Sequence, residues 1–278
     1  MKNDIDQLMK ENGIDALLIV GPAQHNPAMF YLTGGGHITN ADLIKKIDET
    51  PVIFHGSMER EEAARTGLIT CSYDQFSFSD YLKKTKNNQI DAQALRYRDL
   101  FSKAGVEKGK IALYGTTEIG DKFAILQRFQ QLFPEFEIIG MVPDSILLKA
   151  MMIKDPDEIN RIRKMGVITT NVVGKVADFL SNQRVENHTL IGENNLPITI
   201  GLVKSKINFW LAEAGAENPD QTIFAVGRDA GIPHSQGNDS DVIQLGKTIV
   251  FDIFPCENGG GYFYDFTRTW CVGYAPAD

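Results

Sequence analysis

Asp252 and Asp265 stand in two apolar stretches, TIVFDIF (248–254) and YFYDFTRTW (262–270), joined by the turn-forming run PCENGGG (255–261). An ionised carboxylate without a partner is costly in apolar surroundings, and two side by side repel, so the pair calls for a shared proton or cation. Oxygen donors suit hard or borderline divalent ions, Mn²⁺ or Co²⁺ first, with Zn²⁺ as an alternative. Two carboxylates alone hold none of them well. Thr267 follows Asp265 by two residues and shares its strand face, where a hydroxyl can orient a ligating carboxylate. Upstream, His234 follows a Gly-Ile-Pro turn in AVGRDAGIPHSQGND, a place that reads as a strand edge or cleft rim. Each residue alone also fits a plainer reading, a strand end or wet sheet face for the aspartates and a solvated loop for the histidine. His25, His37, His55 and His188 show no metal-ligand spacing and read as structural or exposed.

A β-hairpin must bring the two aspartates together. With Asn258-Gly259 as a two-residue type I′ turn, Asp252 falls directly opposite Asp265 at a non-hydrogen-bonded pair, with Cβ atoms ~4.5–5.5 Å apart. Pro255 resists this register, because it lands where the ladder needs an N–H. A looser turn through Gly259, Gly260 and Gly261 is the expected escape, and it keeps Thr267 on the face of Asp265.

The rest of the chain supplies two domains. Over residues 1–150 the short apolar runs at 14–20, 51–56, 110–115 and 136–141 read as strands, with helical patterns at 89–104 and 119–133 between them, which predicts an α/β domain with a mixed sheet. TGGGH (33–37) lacks any phosphate-binding pattern around it and reads as a turn. Residues 151–278 form a second, α+β domain. Asp155, Pro156 and Glu158 make a capping box, and Ile159, Ile162, Met165, Ile168, Val172, Val176 and Phe179 recur at helical spacing, predicting a helix over 156–182. A further helix is expected at 195–214, with Phe209 and Trp210 in its core face, then strands at 222–226, 247–254 and 261–272.

Composition narrows the function. The chain has 278 residues, 36 acidic against 28 basic, and a net charge of −8. That balance argues against nucleic acid or an anionic membrane surface as partner. Three scattered cysteines, Cys71, Cys256 and Cys271, form no C-x-x-C pair, which fits a reducing compartment. No apolar run has membrane-spanning length, and the charged N-terminus is unlike a signal peptide. A cytoplasmic location is expected.

Taken together, IPHSQGND, GKTIVFDIFP and GGYFYDFTRTWCVG resemble the first half of a pita-bread metallopeptidase catalytic domain, of the Xaa-Pro aminopeptidase and prolidase type. MIKDPDEINRIRKMG resembles that domain's entry helix. The α/β region with NPAMFYLTGG is similar to the creatinase/prolidase N-terminal domain. The resemblance implies that Asp252 and Asp265 are metal ligands, Asp252 chelating one ion and Asp265 bridging two, and that His234 faces the substrate. It implies hydrolysis of the peptide bond before proline by a metal-bridging hydroxide, with two divalent ions, Mn²⁺ foremost, a proline-containing peptide as substrate and a homodimer as the assembly.

Two departures stand out. Twelve residues separate the aspartates, more than the family usually leaves, and an even insertion within the turn keeps both on one face. The second is larger. The family completes its site with one histidine and two glutamates, whereas here no histidine follows His234, and Asp278 is the sole acid after Asp265. The sequence therefore reads as an N-terminal portion of a longer enzyme, truncated within the catalytic domain, that binds metal poorly and is inactive alone. Methionine aminopeptidases resemble only the catalytic half, and creatinase-like hydrolases lack the metal carboxylates. The rival reading is a non-catalytic pita-bread binding or scaffold module.

Overall fold

Every residue from Ala16 to Gly21 is buried, and alternate side chains serve opposite sides of one sheet. The computed structural model describes residues 4–275, in two compact units, Met1–Lys154 and Asp155–Asp278. In the first, strands β1 (Ala16–Gly21), β2 (Ala41–Lys46), β3 (Val52–His55), β4 (Ile69–Ser72), β5 (Gly109–Gly115) and β6 (Phe136–Ile139) form one sheet in the order β4-β3-β2-β1-β5-β6. β1 runs parallel to β5 and antiparallel to β2, so the sheet is mixed.

Leu17 and Ile19 pack into a core with α1 (Ile5–Glu11), α2 (Pro27–Thr33) and α7 (Leu147–Met152). Leu18 and Val20 enter the opposite core, under α5 (Gln89–Lys103) and α6 (Ile119–Leu132). The short helices α3 (Arg60–Arg65) and α4 (Phe78–Lys84) flank β4 along the chain. The expected helices at 89–104 and 119–133 are found to within a residue. The glycine run after α2 is a helix stop, with Gly34 at φ 78° donating its N–H to Phe30.

β2 escaped the sequence reading because ADLIKK carries two lysines. Lys45 is nevertheless only 1% exposed. Its ammonium pairs with Asp6 and donates to the Lys46 carbonyl at 2.9 Å, so the buried charge is matched.

In the second unit α8 (Pro156–Ser181) begins at the capping box. Asp155 Oδ1 accepts from Glu158 N, and Glu158 Oε2 accepts from Asp155 N, both at 2.9 Å. A small hairpin, β7 (Arg184–Glu186) and β8 (Thr189–Ile191), follows. α9 (Ile200–Glu213) starts five residues later than expected, because residues 192–197 turn back and Thr199 caps the helix through Leu202 N. Trp210 packs on the core, whereas Phe209 is 64% exposed and leaves the core face expected of it. β9 (Ala216–Glu217) and β10 (Ile223–Val226) lead to β11 (Thr248–Ile253), β12 (Cys256–Glu257) and β13 (Phe266–Cys271). The sheet order is β10-β11-β13, all antiparallel. Among the described residues no helix is long and apolar enough to cross a membrane.

Candidate active site

β11 alternates. Ile249, Phe251 and Ile253 point into the core, where Phe251 meets Phe224 and Trp270 at ring-centroid distances of 5.4 and 5.3 Å. Asp252 therefore belongs to the other face, with Thr248 and Val250, and is half-buried. Asp265 is exposed. The expectation of two carboxylates held in apolar surroundings is corrected: they stand on the sheet face opposite the core.

The register also differs from the two-residue turn. Asp252 faces Thr267, and Ile253 faces Phe266. Asp265 lies two residues before Thr267, diagonal to Asp252 and on the same face. Pro255 is the physical reason. β11 ends at Ile253, and the chain turns its next pair, Cys256 and Glu257, onto β9 (Cys256 opposite Glu217). The loop is four residues, Asn258–Gly261, closed by Glu257 N donating to Tyr262 O at 3.1 Å. Gly259 and Gly260 adopt φ 85° and 77°, which a side chain would resist. Tyr264 N donates to Pro255 O at 3.0 Å, using the carbonyl the proline still offers.

Side chains then clamp this loop. Arg161 on α8 makes a forked contact with Glu257, Nε to Oε1 at 3.1 Å and Nη2 to Oε2 at 2.8 Å, and its guanidinium stacks 4.8 Å from the Tyr262 ring centroid. Tyr262 donates its hydroxyl to Glu158 at 2.5 Å, and Glu217 accepts from Gly259 N at 2.9 Å. A bidentate Arg–carboxylate pair fixes orientation as well as distance, so the helix that opens this unit holds the turn between the two aspartates.

Thr267 Oγ1 donates to Asp252 Oδ1 at 2.5 Å. The Asp265 carboxyl is held above its ordinary value, first by loss of surrounding water, then by the Asp252 charge and a side-chain hydrogen bond to Asp252. The two acids thus interact, as a like-charged pair does when a proton stands in for a cation.

His234 sits beyond β10, exposed, in a turn where Ser235 N donates to Ile232 O at 3.1 Å. Pro233 and His234 occupy the central positions, and His234 takes φ 60°, the left-handed conformation that the second centre of a type II turn requires. His25 and His188 take the same conformation, so the turn sets where the His234 ring stands without marking a function. His234 and Asp252 line one cavity of about 220 Å³ together with Ile223, Val250 and Asp229. Asp229 was not singled out in the sequence. Its one signal is its place in a short turn five residues before His234. The other histidines are apart from this cavity, and His55 is buried with Nδ1 2.7 Å from Gly56 O.

The donor chemistry fits a divalent cation in kind, with hard oxygens, like charges in contact and a hydroxyl bracing one of them. It falls short in number. Among the described residues no three His, Cys, Asp or Glu side chains cluster closely enough to hold a metal ion.

Residues 160–278 match the model of metallopeptidase family M24. A probable dipeptidase PepE of Mycobacterium tuberculosis is 25% identical over 150 residues, covering 53% of this chain and 36% of that protein. Among solved structures, the X-Pro aminopeptidase of Thermotoga maritima superposes with a TM-score of 0.65 at 21% identity, covering 100% of this chain and 66% of that one. The Xaa-Pro dipeptidase of Bacillus anthracis superposes with a TM-score of 0.69 at 16% identity, covering 99% and 65%. The chain thus spans less than two thirds of these relatives' lengths. The architecture is like theirs, an α/β N-terminal domain with a mixed sheet followed by part of a pita-bread domain, and residues 160–278 are the stretch similar to metallopeptidase family M24.

Proposed function

We propose that this chain carries the first metal-ligand segment of a peptidase that cleaves the bond before proline, with Asp252 and Asp265 as ligands to a pair of divalent ions, Mn²⁺ foremost. The observation that carries the reading is the diagonal Asp252–Asp265 pair on one sheet face with Thr267 bonded to Asp252. The names of the solved relatives, X-Pro aminopeptidase and Xaa-Pro dipeptidase, support the substrate class.

In this reading Asp252 and Asp265 hold the ions by their carboxylate oxygens, and Thr267 keeps the Asp252 carboxylate oriented. The chemistry supplied there when divalent ions are bound is polarisation of a carbonyl and activation of water near neutral pH. His234, on the rim of the same cavity, would donate a hydrogen bond to the reacting carbonyl oxygen, which gains negative charge as the nucleophile adds to the carbonyl carbon. The left-handed turn at Pro233-His234 presents its ring without calling on a flexible loop.

Two carboxylates do not satisfy two ions, so the remaining ligands come from a further stretch of polypeptide. The 278-residue chain alone then binds Mn²⁺ weakly and hydrolyses no Xaa-Pro peptide. Titrating the purified chain with Mn²⁺ and assaying an Ala-Pro dipeptide tests both statements. Weak binding that Asp252→Asn removes is the expected result, and rapid Mn²⁺-dependent turnover by the chain alone overturns the division of ligands. The shortage of clustered ligands also favours a second reading, a non-catalytic binding module. Mn²⁺ binding indifferent to both Asp252→Asn and Asp265→Asn would select it.

A further inference from the structure

A second cavity lies wholly within the first unit, at the C-terminal ends of β1, β5 and β6. Its volume is about 690 Å³, within the range of sites for small organic ligands. Val20 and Leu113 form its floor, and Phe123, Leu126 and Ile138 its apolar walls. The topology explains why a crevice opens there. The chain leaves β1 into α2, which packs on one face of the sheet, and leaves the adjacent parallel strand β5 into α6, which packs on the other. Adjacent parallel strands whose connections diverge leave a gap beyond their carboxyl ends, the usual location of ligands in α/β sheets. Gly115 holds the gap's edge. It has φ 119°, and a Cβ there would lie 2.0 Å from Val20 O.

The charge of the lining has one sign. The chain carries 36 acidic residues, yet among the described residues no carboxylate lines this cavity, and Lys122 is the one charged residue of them that does. Lys122 Nζ donates to Tyr97 OH at 2.5 Å and forms an ion pair with Asp42 Oδ1 at 3.7 Å, too long for a hydrogen bond to that oxygen. Asp42 is occupied by the hydroxyls of Tyr73 and Tyr97, both at 2.7 Å. The ammonium is therefore oriented by a buried network and keeps N–H donors to offer. Gln130 already uses its oxygen to accept from Ile138 N at 3.1 Å, which turns its amide into a donor.

We propose that this cavity binds a small monocarboxylate with an apolar body, its carboxylate on Lys122 and its body on Phe123, Leu126 and Ile138. The site is separate from the proposed peptidase site and does not depend on it. Two sources share this chemistry, a fatty acid and an N-blocked apolar amino acid, so the probes are decanoate and N-acetyl-phenylalanine, with decanol as the uncharged control. Calorimetric titration of the full chain is expected to give saturable one-to-one binding of at least one carboxylate, and weaker binding of decanol.

Phe123 is 64% exposed, so Phe123→Asp and Phe123→Lys both leave the fold intact while removing the same apolar contact. Circular dichroism verifies the fold. The aspartate variant is expected to bind the carboxylate about tenfold more weakly than the lysine variant, as opposite charges at a half-open site require. Absence of saturable binding, decanol binding as tightly as decanoate, or equal affinities for the two variants overturns the proposal. Whether decanoate or N-acetyl-phenylalanine binds more tightly identifies the source.

Discussion

Thr267 donates its hydroxyl to Asp252 across facing positions of the β11–β13 ladder, at 2.5 Å. The residue opposite Asp252 is thus a hydroxyl, and the second acid lies one step along the diagonal. Diagonal neighbours on a sheet are ~7–8 Å apart at the backbone, still within reach of carboxyl groups. The threonine fixes one carboxylate, and the other, just before the strand, interacts with it through charge and a hydrogen bond.

Thr267→Val keeps the β-branched shape and removes the hydroxyl. The side chain is exposed, so the fold is expected to hold, with a melting temperature close to that of the parent chain. Mn²⁺ affinity is expected to fall by about tenfold, the low end for loss of a group that orients a ligand. Titration followed by the electron paramagnetic resonance of free Mn²⁺ measures it. Unchanged affinity would remove Thr267 from the site.

Asp265 gives a pH dependence of definite sign. Its folded-state carboxyl is raised by lost hydration and by Asp252, so between the unfolded and folded values the folded chain binds more protons. The stability this group contributes is full below its unfolded value and is lost as pH rises through the folded one. In metal-free buffer the chain is expected to lose stability on this account as pH rises from about 4 toward neutrality. Asp265→Asn should flatten that part of the curve, and thermal melts across the range check it. A steeper curve in the variant would contradict the carboxyl pair.

The two long helices of the first unit were legible from their helical pattern, and α8 from its capping box and periodicity, because these are local signals. That both aspartates share a face was legible too, since parity survives any even change in the turn. Direct opposition was the expectation, and the register sets them on a diagonal instead. The register depends on a proline that stops β11 and on Arg161 and Glu158, about a hundred residues upstream, which clamp Glu257 and Tyr262. β2 was hidden by Lys45, whose partner Asp6 lies in another element. Asp229 and His234 meet Asp252 only through the fold, and no spacing in the sequence announces that cavity.

Two glycines of α8 separate the demands of the helix from those of the loop it supports. Glycine inside a helix costs ~1 kcal/mol relative to alanine, so replacing it should stabilise wherever space allows. At Gly174 a Cβ meets nothing within 4 Å, and Gly174→Ala is expected to stabilise by about 1 kcal/mol. At Gly166 the same Cβ would lie 2.8 Å from Cε2 of Tyr264 and 3.1 Å from Cδ2. That ring is packed against the core of the second unit and has the Pro255 bond holding its backbone, so it yields only by moving the chain next to Asp265. Overpacking of this kind costs ~1–3 kcal/mol, which cancels or exceeds the helical gain. Gly166→Ala is therefore expected to be neutral to destabilising, and to weaken Mn²⁺ binding, while Gly174→Ala leaves binding alone. Urea denaturation and Mn²⁺ titration of the two variants side by side measure the difference, and a Gly166→Ala chain as stable as Gly174→Ala with unaltered binding would show that the Tyr264 contact does not constrain the acidic pair.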